Sequence, residues 1–102
     1  MWFAIIAQDT PNSLEKRMVA RPDHLERLRK LESEDRLLLA GPFPMSGSAD
    51  SKSDGYSGSL IIADFKNLED AQVWAEADPY VAAGVYESVT VKPFRKTLPA
   101  TP

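Results

Sequence analysis

The first apolar run, Trp2 to Gln8 in "MWFAIIAQDT", is hydrophobic at nearly every position. That pattern predicts a strand covered on both faces or lying at an interface. "DTPNS" then turns the chain, with Asn12 or Ser13 as the N-cap of a helix. From Leu14 to about Asp35 the spacing becomes helical and gathers Leu14, Met18, Leu25, Leu28 and Leu31 on one face. Pro22 falls inside that stretch, and its missing N–H predicts a kink near Arg21 or a restart with Pro22 in the first turn. "RLLLAGPF" reads as a second strand stopped at Gly41 and Pro42, and residues 44–57, rich in Ser, Gly and Asp, read as a mobile loop. Gly58 to Phe65 is a third strand. "NLEDAQVWAEA" is a second helix capped by Asn67, with Glu69 and Asp70 favourably placed in its first turn. "DPYVAAG" adds one further turn, and Val85 to Phe94 alternates as a fourth strand.

The order βαββαβ predicts a ferredoxin-like α+β fold, a four-stranded, mainly antiparallel sheet with two helices on one face. Residues 1–96 form a single domain in this reading, and 97–102 a loose tail. The strands "WFAIIA" and "SLIIADF" nevertheless carry apolar residues on both sides. A bare apolar sheet face is a liability, so a homodimer packed through the sheets is expected.

Composition narrows the function classes. The 102 residues, 43% hydrophobic and 26% charged, are ordinary for one folded domain. A net charge of -3 and a pI near 5.1 supply no basic field, so nucleic acid is not an expected partner. The absence of cysteine excludes disulfides, thiol nucleophiles and thiolate metal sites. The apolar N-terminal stretch is too short to span a membrane and lacks a signal's basic flank, so no membrane partner and a cytoplasmic location are expected.

One histidine remains, His24 in "RMVARPDHLERL". On a helical wheel Arg17, Arg21 and His24 fall inside or beside the buried arc, while Glu15, Lys16, Asp23, Glu26, Arg27 and Lys30 fall on the solvent side. Polar residues on an inward arc point to a cavity open to water or ligand. Asp78, before Pro79, is an N-cap for the short turn after the second helix. In the functional reading it also accepts a hydrogen bond from His24 and fixes its tautomer. The two arginines would bind an anion through their fork of donors, unless Glu32, Glu76 or another acidic residue pairs with them. A lone histidine leaves too few ligands for a catalytic metal, and without a GxSxG elbow a serine triad is disfavoured.

Taken together, "RPDHLERLRKL", "LLLAGPF", "GSLIIADF", "DPYVAAGVY" and "VKPF" resemble the YciI-like (YCII-related) family over nearly the whole chain. The resemblance implies a dimeric ferredoxin-like α+β barrel. It implies His24 and Asp78 as the active-site pair, Arg17 or Arg21 as the arginine ahead of the histidine, Gly41 and Pro42 as the GP turn, and Ser59 as a substrate-site serine. It extends to an enzyme of chloroaromatic breakdown that eliminates chloride. Two function classes are then open. One is a cofactor-free enzyme in which the His24–Asp78 dyad moves a proton on a small anionic or aromatic molecule, by isomerisation, elimination or hydrolysis. The other is a non-catalytic ligand-binding or stress-associated dimer with a structural His–Asp pair.

Overall fold

In the computed structural model, which describes residues 1–47 and 55–100, the elements run β1 (Trp2–Asp9), α1 (Leu14–Ser33), β2 (Leu37–Pro44), β3 (Tyr56–Asp64), α2 (Leu68–Glu76), α3 (Pro79–Ala82) and β4 (Tyr86–Phe94). The strands form one sheet in the order β2-β3-β1-β4, and every neighbouring pair is antiparallel. This is the ferredoxin-like arrangement. On β1 the odd positions Phe3, Ile5, Ala7 and Asp9 are buried, as the two-residue period of a strand requires for one face. Phe3 and Ile5 meet Leu28 and Leu31 of α1 and Ala71 and Ala75 of α2 in one core, joined by Ile61, Ala63 and Phe65. No helix among the described residues is long and apolar enough to cross a membrane.

Three details depart from the sequence expectation. α1 runs as one helix through Pro22 and does not restart there. Proline's fixed φ is already helical, and the carbonyl that loses its donor belongs to Met18, whose side is open to solvent. The inward turns around Arg17, His24, Leu28 and Leu31 hold the helix together on both sides of the proline. Met18 itself, expected in the core, is 66% exposed.

β2 does not stop at Gly41 and Pro42 but continues to Pro44, paired with β3 as far as Pro44 with Tyr56. It is an edge strand, where alternate N–H groups need no partner and proline is tolerated. The third strand correspondingly starts at Tyr56, two residues earlier than read. The loop expected over 44–57 therefore keeps an irregular stretch only from Met45, and its residues 48–54 lie outside the described residues, as do 101–102 of the expected tail.

Candidate active site

α1 enters the site through its first turn. Ser13 stands at the N-cap, yet its hydroxyl does not cap the helix. It donates to Asp9 Oδ2 at 2.6 Å, at the end of β1. Arg17, one turn on, donates from Nε to Asp9 Oδ2 at 2.6 Å and from Nη2 to Asp9 Oδ1 at 3.0 Å. Nη2 also donates to the Gly58 carbonyl at 2.9 Å and to Ser59 Oγ at 2.8 Å on β3. The pair is buried, with side-chain exposures of 7% and 1%. Burial alone would lower the Arg17 pKa, but the hydrogen bond and charge of Asp9 outweigh it and raise the pKa above its usual value.

Two turns further, His24 Nδ1 faces both carboxylate oxygens of Asp78 at 2.9 Å each. Asp78 N-caps α3 and accepts from the Tyr80 N–H at 2.9 Å. In the neutral imidazole a ring nitrogen pointed at a carboxylate carries the proton, which leaves Nε2 with its lone pair. Among the described residues Nε2 has no protein partner, and His24 lines a cavity of about 520 Å³. The Tyr80 ring lies parallel to the imidazole, with centroids 3.9 Å apart and planes at 11°.

The cavity is bounded by α1, by Ala40, Gly41 and Pro42 of β2, by Tyr56, Ser59 and Ile61 of β3, and by Tyr80. All five sequence-derived site residues are brought together here: His24, Arg17, Arg21 and Ser59 line it, and Asp78 stands behind His24. Their roles separate, however. Arg17 is not a free anion fork, because Asp9 already holds it. Neither Glu32 nor Glu76 is its partner. Arg21 sits on the same helical stripe but is exposed, since the cavity rather than protein lies beneath it, and it has no ion pair among the described residues. Arg27, read as a solvent-side residue, is instead partly buried on α2. Its guanidinium lies 4.3 Å from the centre of the Trp74 ring, and its Nη2 donates to the Trp74 carbonyl at 2.8 Å.

Asp9, Tyr56 and Tyr80 were missed from the sequence. Asp9 had no signal in the sequence, because β1 is apolar on both sides up to Ala7, and only the packed sheet puts Asp9 on the buried side with Phe3, Ile5 and Ala7. Tyr80 had none beyond its place after the Asp-Pro pair.

Tyr86 lies beneath this cluster, its ring edge-on to Tyr80 with centroids 5.4 Å apart. Its hydroxyl is buried without a hydrogen bond of good geometry, although Ser59 is near enough to act on its ionisation. Burial pushes the Tyr86 pKa well above the usual tyrosine value, and burial raises that of Tyr80 too. An unfolded tyrosine ionises near pH 10 while folded Tyr86 stays protonated, so its contribution to stability is complete below about pH 10 and is lost as pH rises further. Tyr86→Phe should stay within about 1 kcal/mol of wild type at pH 7. It should also lose less stability between about pH 9 and about pH 11 in urea titrations. An equally steep alkaline decline in the variant would contradict the assignment.

This geometry belongs to a chain with recognisable relatives. A model of the YCII-related domain matches residues 1–95. The chain is 58% identical over 96 residues to Protein YciI of Escherichia coli O6:H1, covering 94% of this chain and 98% of that protein. It is 52% identical, with the same coverage, to an uncharacterized protein of Haemophilus influenzae. It also superposes, with a TM-score of 0.81, on a solved structure of 5-chloro-2-hydroxyhydroquinone dehydrochlorinase from Burkholderia phenoliruptrix AC1100 in complex with 2,5-dihydroxybenzoquinone. That match is 26% identical and covers 93% of this chain and 94% of the other.

Proposed function

The chain belongs to the YCII-related family, and from that membership and the cavity's geometry we propose that it is a cofactor-free acid–base catalyst acting on a small anionic or aromatic molecule. The observation that carries this reading is His24. Its Nδ1 is held by two carboxylate oxygens at 2.9 Å, and its other nitrogen is left without a protein partner among the described residues, on the wall of a cavity large enough for a single-ring ligand. Nε2 takes a proton from the bound molecule, and Asp78 steadies the imidazolium that results. Arg21, the cation at the rim without an ion pair among the described residues, holds the anionic group, and the Ser59 hydroxyl adds a hydrogen bond. Arg17 supports Ser59 from behind.

The similarity to a dehydrochlorinase makes elimination the first reaction to test. Loss of HCl needs one hydroxyl proton moved to the chlorine-bearing ring carbon and a second removed as chloride departs, leaving the quinone with no external oxidant or reductant. Chloride release from 5-chloro-2-hydroxyhydroquinone is the assay, and binding of 2,5-dihydroxybenzoquinone is the parallel measurement. His24→Gln should lower kcat by about 100-fold or more while binding and fold persist. Equal turnover by the variant would overturn the acid–base role. Binding without turnover in the wild type would favour the ligand-binding alternative.

The second part of the proposal is a homodimer through the sheet. The face opposite the helices carries Ile6, Leu39, Phe43 and Phe94, each between 37% and 45% exposed. A second copy packed there would remove this apolar surface from water. Sedimentation at micromolar concentration should give twice the 11.3 kDa chain mass, and Ile6→Glu should shift the protein to monomer. A monomeric wild type would sink this part of the proposal.

A further inference from the structure

Asp78 fixes where Nδ1 of His24 points, but a single hydrogen-bonded nitrogen leaves the ring free to swing about that contact. Something else must set its plane if Nε2 is to face the cavity consistently. The buried residue Tyr80 is in contact with both halves of the dyad. Its ring stacks on the imidazole at 3.9 Å and 11°, and its backbone N–H donates to Asp78 Oδ1 at 2.9 Å. The ring is itself held from two further sides. The Arg17 guanidinium lies 5.0 Å from its centroid, and Tyr86 meets it edge-on. Arg17 is anchored in turn by Asp9, so the chain of contacts runs from the end of β1 to the imidazole.

Resting on the acid–base reading of His24, we propose that Tyr80 is the positioning residue of the site, its ring fixing the plane of His24 so that Nε2 meets the bound molecule while Asp78 sets the tautomer. The ring is what matters, not the hydroxyl. The backbone N–H that Asp78 accepts is present whatever residue stands at 80, so substitutions there isolate the stack from the cap.

This separates two variants. Tyr80→Phe keeps the stack and should behave as wild type. Tyr80→Leu removes it while leaving a buried apolar side chain. His24 is the only histidine, so the mobility of its ring is read directly from 13C–1H relaxation of its two ring C–H groups. Wild type and Tyr80→Phe should show a His24 ring as rigid as the backbone around it, and Tyr80→Leu should show a mobile ring with Nδ1 still held by Asp78. With the chlorinated hydroquinone, Tyr80→Leu should lower kcat about tenfold or more while KM changes less than about threefold, as expected when orientation rather than binding is lost. Tyr80→Met, which refills the volume without a ring, carries the same expectation if the leucine variant does not fold. A His24 ring as rigid in a folded ring-less variant as in wild type would overturn the proposal. A His24→Gln variant that still turns over would defeat the acid–base reading alone, leaving the mobility of the His24 ring to decide the role of Tyr80.

Discussion

Replacing Arg17 by methionine should lower the free energy of unfolding by about 3–5 kcal/mol, the cost of leaving a buried charge without its partner. Asp9, with a side chain only 1% exposed, would keep just the hydrogen bond from Ser13. The Gly58 carbonyl and the Ser59 hydroxyl would lose their donor at the same time. Methionine keeps much of arginine's apolar stem, so lost packing contributes little and the charge dominates. Adding Asp9→Asn to Arg17→Met should restore part of the loss, because a neutral amide is cheaper to bury than an unpaired carboxylate. Urea unfolding of the two single variants and the double variant measures this. A loss below about 1 kcal/mol for Arg17→Met would mean that the pair is worth no more than a surface ion pair.

Gly58→Ala should be at least as damaging, above about 3 kcal/mol, which is the upper end of ordinary overpacking. A Cβ at this position would stand 2.0 Å from the Ala7 carbonyl oxygen and 3.3 Å from the Phe43 ring. The first obstacle is backbone, which cannot step aside without parting β1 from β3. That displacement would also pull the Gly58 carbonyl from Arg17. Gly41→Ala is the control. Nothing lies within 4 Å of its added Cβ, so it should remain within about 1 kcal/mol of wild type. Circular dichroism and urea titration of both variants decide the matter, and a Gly58→Ala protein as stable as Gly41→Ala would show that the strands accommodate the methyl group.

Much of the architecture was legible in the sequence, since the continuous apolar run "WFAIIA" marks a strand and the helical spacing of Leu25, Leu28 and Leu31 states which side of α1 is buried. The same logic put His24 and Arg17 on the inward arc of α1, and Asp78 at a cap before Pro79. It failed for Met18 and Arg21, which share that arc but face an opening, and for Arg27, which finds the side of Trp74. Periodicity reports the direction of a side chain from its own axis, not whether another element stands in that direction.

The partners were decided only in three dimensions. His24 and Asp78 are 54 residues apart, and Arg17 and Ser59 are 42 apart. Both pairings depend on how α1 crosses the sheet and where α2 releases the chain into α3. Asp9 took Arg17 from the anion fork because the β1–α1 turn is short enough to bring a strand end beneath the first turn of the helix. The chain itself determined the order of elements, the apolar stripe of α1 and the inward histidine, because those arise from local spacing and backbone preference. The docking of α1 on the sheet decided which arginine is neutralised, which remains open to a ligand, and which aromatic ring holds the imidazole, because contacts across the fold depend on the placement of elements that no local pattern encodes.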